Sequence, residues 1–393
     1  MVAFNLCKIS SKLFGKVLVV AGQKSQQFSL RGITSKTMRH RIETSTPKPA
    51  PFPYKETSYN FLRALVDYPT TSRLDENSKL IVVDGLPTAG KGALAKELAD
   101  ELDMAYLEAP TIAKTLFNEY GFDLRKLDSK LPLDCRSYDE IDFLKNPKSV
   151  KAARMQIKLF QLRFKQYIDA LAHILNTGQG VVLNRSVFSD FVFMQGMVTQ
   201  GFVSRNVQSY YYQMKNNSLF QLWRPHLVIY LDVPVEVVRS RIEARNRANE
   251  KDSPASTTAY LESLDKAYKQ EYLKSMSNHS EMLVYDWAVP SNVETVVEDV
   301  ERINFEQYGQ HDTKLEDWCR IDEWDWNNSR RTFSTQQETL MQFTNVPAIS
   351  CPEILIDGED IKVFEKVMNN APGNKYAKGF NADAGDTSLL FKM

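Results

Sequence analysis

The chain has 393 residues, enough for one large α/β domain with an appendage or for two domains. Its 49 basic and 49 acidic residues cancel, which argues against a general nucleic-acid-binding protein. No stretch approaches the roughly 20 apolar residues of a membrane span, and the four cysteines lack the spacing of a zinc site or a disulfide framework. We therefore expect no transmembrane segment in this chain, so that any membrane association is made through partner proteins.

Residues 1–35 have the composition of a mitochondrial presequence. No acidic residue precedes Glu43, whereas lysines, arginines and serines are frequent there, and apolar residues recur at the helical spacing of Leu6, Ile9, Leu13 and Val17. A secretory signal would need an uninterrupted apolar core, which the lysines interrupt, and a basic nucleic-acid-binding arm would not need an apolar face. The pattern favours import into mitochondria.

Residues 36–79 are predicted to form an extended arm between the presequence and the folded domain. Proline occupies alternate positions in the segment 46–53, Thr-Pro-Lys-Pro-Ala-Pro-Phe-Pro. A helix interior does not tolerate this pattern, so the segment is expected to be extended.

A phosphate-binding loop is predicted after the first strand. The apolar run 80–83 precedes Gly85-Leu-Pro-Thr-Ala-Gly90-Lys91-Gly92, and an amphipathic helix follows. In the pattern G-x-x-x-x-G-K-[ST], backbone N–H groups cradle phosphates, the lysine reaches the β- and γ-phosphates, and the final hydroxyl ligates Mg²⁺. Gly92 replaces that hydroxyl, so we predict a loop that holds a nucleotide without a side-chain metal ligand. The alternative is a tight turn with an exposed lysine.

Short apolar strands and helices alternate through the remainder of a domain predicted to span residues 80–308. Strands are predicted at 105–107, 180–183, 227–231 and 282–285, and helices at 150–175, 235–247, 259–277 and 293–308. Short apolar strands separated by helices indicate an α/β fold, a doubly wound parallel sheet covered on both faces.

Residues 309–393 are predicted to form an irregular C-terminal extension. Three of the five tryptophans stand among acidic residues in the run 318–326, which follows neither the strand nor the helix period. The sequence leaves two alternatives open. The extension lies across another protein, or it folds back on its own domain.

The loop at Gly85 and four further segments resemble the deoxynucleoside kinases across residues 80–308. These segments are 106–110, Phe160-Gln161, 184–190 and 239–250. The resemblance implies a P-loop nucleoside-kinase fold in which Glu108 is the general base, assisted by Arg185, and Gln161 and Asp190 contact the nucleobase. The phosphate-binding residues that it implies are Gly85, Gly90, Lys91, Gly92, Arg241, Arg245 and Arg247. Taken singly, Gln161 could equally lie on an exposed helix face, and the arginines could form a solvated basic face.

Two departures from the family pattern bear on activity. Gly92 lacks the loop hydroxyl, and Asn184 replaces a glutamate ahead of the retained Arg185. Phosphoryl transfer depends on positioning and on charge neutralisation, so each loss is expected to cost on the order of 10²-fold in rate. We therefore expect a non-catalytic domain without a metal site. It would hold a purine nucleotide such as ATP, ADP or a deoxynucleotide, or less favourably FAD.

The presequence, the kinase-like domain and the tryptophan-bearing extension together resemble the nucleoside-kinase-like accessory subunits of mitochondrial respiratory complex I, NADH:ubiquinone oxidoreductase. This resemblance implies a non-catalytic subunit, peripheral on the matrix side of the inner membrane, whose partners are the other complex I subunits. A rival interpretation is a mitochondrial deoxynucleoside kinase that transfers the ATP γ-phosphate with Glu108 as base. A third is a nucleotide sensor, in which occupancy by the nucleotide alters the assembly or activity of the complex.

Overall fold

The computed structural model describes residues 32–36, 48–67, 69–247, 249–349 and 351–387. Most of the predicted presequence therefore lies outside the described residues. Residues 32–35 are described, and they pack on the domain: Ile33 is buried, and the Thr34 N–H donates to Asn77 Oδ1 at 2.9 Å. Among the helices in these ranges, none combines the length and the apolar character that crossing a membrane requires.

Five parallel strands form one sheet in the order β2-β3-β1-β4-β5. They are β1 Leu80–Gly85, β2 Ala105–Leu107, β3 Val181–Asn184, β4 Leu227–Asp232 and β5 Glu281–Asp286. Every β1 side chain is buried although successive residues point to opposite faces, so helices cover both faces of the sheet. The predicted α/β fold with a doubly wound parallel sheet is confirmed.

The helices alternate with the strands and continue beyond the sheet. Before β3 they are α1 Phe61–Val66, α2 Lys91–Leu102, α3 Ile112–Thr115, α4 Glu140–Lys145 and α5 Lys151–Thr177. From β3 to the end of the sheet they are α6 Phe191–Thr199, α7 Arg205–Leu219, α8 Val235–Arg245, α9 Thr258–Ala267, α10 Leu273–Met276 and α11 Val293–Glu301. The C-terminal extension adds α12 Glu323–Thr335, α13 Gln337–Gln342 and α14 Gly358–Asn369.

Two helices differ from the sequence prediction. The helix predicted at 259–277 contains a π-helical turn, Tyr268–Tyr272, between α9 and α10. Both of these tyrosines are buried, and the Tyr268 hydroxyl donates to Asp84 Oδ1 at 2.8 Å, so the turn directs polar side chains at the end of β1. The helix predicted at 293–308 ends at Glu301.

The C-terminal extension folds back on the domain and is more regular than predicted. Trp223 forms the centre of the contact, with the rings of Trp318 and Trp326 at centroid distances of 4.8 and 5.6 Å. The Trp318 Nε1–H also donates to the Arg224 carbonyl at 2.8 Å. These indole rings therefore supply apolar surface and a satisfied hydrogen bond within the chain, and they are not free to lie across another protein.

The N-terminal arm and the extension meet at one buried arginine, Arg330 of α12. Its Nη2 lies 2.6 Å from Asp67 Oδ2 of the arm, and its Nε donates to Asn176 Oδ1 of α5 at 2.8 Å. The guanidinium also covers the Tyr59 ring at 3.8 Å. The arm, predicted to be extended, contains helix α1 and a 3₁₀ turn, Thr71–Arg73, and is fastened to both the domain and the extension.

Candidate nucleotide-binding site

The loop after β1 has the strand–loop–helix arrangement of a phosphate-binding loop. Gly85 has φ +149°, and a Cβ there would lie 2.7 Å from the Leu231 carbonyl oxygen, so the backbone approach to β4 requires glycine. Gly90 caps α2 with φ +92°, in the left-handed region that glycine tolerates. The loop thus ends at a helix N-terminus, where backbone N–H groups and the helix dipole favour an anion.

Lys91 opens α2 and turns its side chain back into the loop. It is buried, and its Nζ donates to the Leu86 carbonyl at 2.6 Å. Burial, and then the nearby Arg185 guanidinium, hold the pKa of Lys91 well below its usual value. A phosphate in the loop would supply the missing counter-charge, so the electrostatics of this lysine suit a site for an anion.

Two arginines extend the positive charge beyond the loop. Arg185 follows β3 with φ +69°, and its guanidinium lies 4.2 Å over the Phe193 ring, with Nε 3.8 Å from Asp84 Oδ1. Burial and the charge of Arg185 lower the pKa of Arg163 to about 10, so the Arg163 guanidinium is still charged at neutral pH. Their Nε atoms are buried and lack a hydrogen-bond partner among the described residues.

Asp190 is buried beside these arginines, and its carboxylate is bonded by the protein itself. It accepts hydrogen bonds from Gln156 Nε2 at 2.9 Å and from the Tyr211 hydroxyl at 2.6 Å, and it pairs with Arg163. Its role as a nucleobase contact stays a prediction. In this state Asp190 orients Gln156 and Arg163, which both line the cavity.

A cavity of about 210 Å³ lies behind the loop, between α5, α6 and the segment after α8. Its charged and amide-bearing lining residues are Glu140, Gln156, Arg163, Arg185 and Glu250, and most of the other walls are apolar. A concave, largely apolar pocket with few polar groups is typical of a small-molecule site.

Gln156 lines this cavity, whereas the predicted nucleobase contact Gln161 does not. Five residues along a helix turn a side chain by about 140°. Accordingly, Gln161 Nε2 donates to Thr344 Oγ1 of the C-terminal extension, at 3.4 Å. Gln156 shares a helix face with Leu159 and Arg163, at positions i, i+3 and i+7. That periodicity was the signal in the sequence that could have identified it.

The residues at the end of the loop do not fit a magnesium site. A Cβ on Gly92 would lie 3.2 Å from Asn184 Nδ2 and 3.6 Å from the Tyr106 hydroxyl, so the two positions that depart from the family pattern face each other. An amide N–H₂ group is a donor and cannot ligate a cation. No group of three or more His, Cys, Asp or Glu side chains that could hold a metal ion occurs in the described ranges.

The predicted phosphate-binding arginines of α8 and the loop after it are held in different ways. Arg241 Nη2 donates to the carbonyls of Trp287 and Ala288, each at 2.9 Å, and so joins α8 to the segment after β5. Arg245 pairs with Glu250 at the cavity wall, and Arg247 is exposed. A phosphate reaching Arg245 would have to replace Glu250 as its partner.

Glu108, the predicted general base, follows β2 at the same sheet edge but outside the cavity lining. Its side chain is 62% exposed and forms an ion pair with Lys114 at 2.6 Å. The register of β2 on β3 pairs Leu107 with Leu183, which places Glu108 next to Asn184. The structure therefore brings Arg185, Asp190 and Lys91 together and leaves Glu108 at the rim.

The family model for deoxynucleoside kinases matches residues 81–319, which is more than half of the chain. NADH dehydrogenase (ubiquinone) 1 alpha subcomplex subunit 10, mitochondrial, of Rattus norvegicus is 35% identical over 93% of this chain and 96% of its own length. The chain belongs to the deoxynucleoside kinase family, in its subunit 10 branch. The predicted nucleoside-kinase type of fold is thereby confirmed.

Other members of the deoxynucleoside kinase family match over shorter parts. The subunit 10 protein of Bos taurus is 33% identical over 85% of this chain and 93% of its own. Deoxyguanosine kinase of Dictyostelium discoideum is 30% identical over 60% of this chain and 73% of its own. The solved deoxyadenosine kinase from M. mycoides with bound dATP aligns with a TM-score of 0.42 at 22% identity, over 56% of this chain and 96% of that chain.

Proposed function

We propose that this protein is a non-catalytic accessory subunit of mitochondrial NADH:ubiquinone oxidoreductase, peripheral on the matrix side of the inner membrane, where it supports assembly or stability of the complex. The observation that carries the proposal is the 35% identity to subunit 10, which runs over 93% of this chain. That similarity includes most of the extension outside the kinase match. Similarity to a protein that shares only the nucleotide-binding domain would not extend into this C-terminal segment.

The site chemistry supports a binding role over a kinase role. At Gly92 and Asn184 the chain lacks the hydroxyl and the carboxylate on which phosphoryl transfer in the family depends. These two positions lie next to each other in the structure. The cation cluster of Lys91, Arg163 and Arg185 remains. An anion-binding site that cannot organise a metal suits a nucleotide that stays bound and stabilises the fold by linkage.

Contacts with other subunits pass, in this proposal, through an exposed apolar surface on the arm. Helix α1 has no buried residue, and its Phe61, Leu62, Leu65 and Val66 are 50 to 85% exposed. Trp324 of α12 is 58% exposed and lies beside Phe61, with ring centroids 6.3 Å apart. We call these five residues the α1 surface. A contiguous patch of large apolar side chains favours a protein interface.

The bound nucleotide would be a purine nucleotide, ATP, ADP or a deoxynucleotide, with FAD as the weaker alternative because it presents a similar phosphate array. Lys91 would contact its phosphates inside the loop. Arg245 and Arg247 would approach them from the end of α8, after release of Glu250. Arg241 would act indirectly. It donates hydrogen bonds to the Thr88 carbonyl of the loop and to the Trp287 carbonyl after β5, and so holds the loop against that segment.

Native gel electrophoresis of detergent-solubilised mitochondria, with mass spectrometry to locate the chain, tests the proposal. The parent chain is expected to migrate with a complex that contains the NADH-oxidising subunits. Phe61→Ser combined with Leu65→Ser is expected to shift it to a free monomer. The control is Val289→Ser, which removes an apolar side chain that is 79% exposed elsewhere. Migration of the parent chain as a free monomer or small dimer would overturn the proposal.

A second candidate, a mitochondrial deoxynucleoside kinase, is favoured by one observation, the retained cluster of buried cations around the loop. It predicts phosphorylation of deoxynucleosides by purified protein, abolished by Lys91→Ala or Glu108→Gln. The accessory-subunit proposal predicts no such activity. A nucleotide sensor, in contrast, requires that Lys91→Ala alter assembly or respiration at some adenylate ratio.

A further inference from the structure

A second cavity, of about 340 Å³, lies between the first turns of α5 and the C-terminal helix α14. We call it the α5–α14 cleft. One side is formed by the kinase-like domain and the other by residues 356–364 of the extension. The family match ends at residue 319, so one wall of this cleft is built from sequence outside it.

The α5–α14 cleft is rich in positive charge. Its cationic lining residues are Arg136, Lys151, Arg154 and Lys158, and the last three share one face of α5 at positions i, i+3 and i+7. Asp134 is its acidic lining residue, and its Oδ1 lies 3.8 Å from Arg154 Nη2, beyond hydrogen-bond distance. The positive charge of the cleft is therefore only partly compensated.

Arg154 and Lys151 both show the effect of this uncompensated positive charge. The Arg154 Nε is buried and has no hydrogen-bond partner in the part of the chain that the structure describes. Burial, and then the charge of Arg154, lower the pKa of Lys151 from its usual value. Buried donors and neighbouring like charges both favour an anion placed between them.

The remaining walls are apolar. Met155 of α5 and Ile361 and Phe364 of α14 line the cleft. The two α14 side chains are 38% and 36% exposed, and α14 as a whole has no buried residue. A ligand with only a charged group would leave this surface in water, so the lining suits a molecule that also carries an apolar body.

We propose that the α5–α14 cleft binds a small amphipathic anion, an acyl chain with a carboxylate or phosphate head. The head lies against Lys151, Arg154 and Lys158, and the chain lies against Ile361 and Phe364. Because the ligand touches both walls, it fastens α14 to the domain. The site is separate from the cavity behind the phosphate loop, with which it shares only Met155 as a wall.

Titration calorimetry on the full chain tests this site with decanoate as the probe and with decyl phosphate as a probe that carries the alternative head group. Acetate represents the charged head without the chain, and 1-decanol represents the chain without a charged head. Decanoate or decyl phosphate is expected to bind at least about tenfold more tightly than either fragment. Arg154→Met is expected to weaken that binding about tenfold, because it removes the guanidinium whose buried Nε lacks a hydrogen-bond partner. Lys362→Met on α14 is the matched control and is expected to leave it unchanged, since Lys362 pairs with Glu359 outside the cleft.

The proposal is overturned if 1-decanol binds as tightly as decanoate and decyl phosphate, if none of the probes binds, or if Arg154→Met leaves the affinity unchanged. Phe364→Ser, on a partly exposed helix, serves as the second variant should Arg154→Met fail to fold. Unchanged affinity in Phe364→Ser would contradict the site equally. Addition of ATP is expected not to displace decanoate, and displacement would place the probe in the other cavity.

Discussion

At the scale of single residues, the pairing of Gly92 with Asn184 decides the character of the nucleotide site. A side chain at position 92 would press on the Asn184 amide, 3.2 Å from its Cβ, so the two replacements are sterically coupled. The Tyr106 hydroxyl lies at the same point, 3.6 Å from a Cβ at position 92. In a metal-binding member of the family a hydroxyl and a carboxylate would hold the cation at this point. Here the same space is lined by neutral groups.

Nucleotide binding is therefore expected to be independent of Mg²⁺. The dissociation constant of ATP, measured by calorimetry, should be the same in EDTA and in Mg²⁺. The double variant Gly92→Ser with Asn184→Glu is expected to bind ATP about tenfold more tightly with Mg²⁺ than without it. Gly92→Ala is the control for bulk alone. A parent protein that needs Mg²⁺ for binding would contradict this prediction.

Lys91 is expected to destabilise the protein when no anion is bound. Its buried ammonium has a lowered pKa and lies near Arg185, so a neutral side chain of similar length removes an unfavourable charge. Lys91→Met should raise the melting temperature of the nucleotide-free protein and abolish the further rise on adding ATP. Lys96→Met, an exposed change on the same helix, should do neither. Thermal denaturation with and without ATP measures both effects, and an ATP-induced rise in Lys91→Met would refute the assignment.

At the scale of elements, one buried histidine joins the sheet to the extension. His226, just before β4, accepts a hydrogen bond from the Leu80 N–H of β1 on Nδ1 at 3.0 Å. Its ring packs on Trp318 with centroids 3.9 Å apart. Burial, and then the charge of Lys79, hold the pKa of His226 well below 6.5. The folded state thus keeps this imidazole neutral.

Stability is expected to fall as the pH drops below 6.5. The pKa of His226 is lower in the folded state than in the unfolded state, so below pH 6.5 the unfolded state binds the extra proton. The contribution of the neutral His226 to the free energy of unfolding is therefore fully present above pH 6.5 and is lost progressively below it. The loss is about 1.4 kcal/mol for each pH unit between the two pKa values. Urea denaturation from pH 5 to 8 should show it in the parent and in the control His311→Gln. An equally steep loss in His226→Gln would assign it to other groups.

At the scale of the whole molecule, the arm, the domain and the extension form one folded unit rather than a domain with loose ends. Arg330 of the extension contacts the arm through Asp67 and Tyr59 and the domain through Asn176. The arm therefore holds α12 in place, and α12 in turn supports helix α1 and its exposed side chains. The α1 surface depends on residues that are far apart in sequence.

Arg330→Ala is expected to destabilise the protein by about 3 kcal/mol, because it removes the guanidinium that pairs with Asp67 Oδ2 and donates to the buried Asn176 Oδ1. Arg331→Ala is the neighbouring control, since the Arg331 guanidinium donates to Asn328 Oδ1 within the same helix and does not join it to the arm. Urea denaturation gives the free energy of unfolding, and limited proteolysis should cleave the extension earlier in Arg330→Ala. Equal stability of the two variants would contradict the central role of Arg330.

The docked residues 32–35 bear on where the predicted presequence would be cleaved. Ile33 is buried, and the Asn77 amide bonds both the N–H and the carbonyl of Thr34. We expect cleavage ahead of Gly32, earlier than the sequence boundary at residue 35, so that these contacts survive in the mature protein. N-terminal sequencing of the protein from mitochondria measures this, and a mature chain that begins after Ser35 would disprove it.

Features that depend on local pattern could be predicted from the residues alone. Apolar runs predicted the strands, and the glycines around Lys91 predicted the phosphate-binding loop, in which the structure shows a positive φ at Gly90 and a close backbone approach at Gly85. The sequence also identified positions 92 and 184 as altered, because the loss of a hydroxyl at Gly92 and of a carboxylate at Asn184 can be read from the residue types alone. These inferences needed no knowledge of which segments meet.

Which side chains face one another became visible in the folded structure. It placed Gln156 in the cavity and turned Gln161 to the extension, because a helix face is fixed by what packs against it. It packed Trp318 and Trp326 against Trp223, a partner far away in sequence. The α5–α14 cleft and the α1 surface likewise arise from the meeting of distant segments. Long-range packing sets these contacts, and local residue preferences carry no record of it.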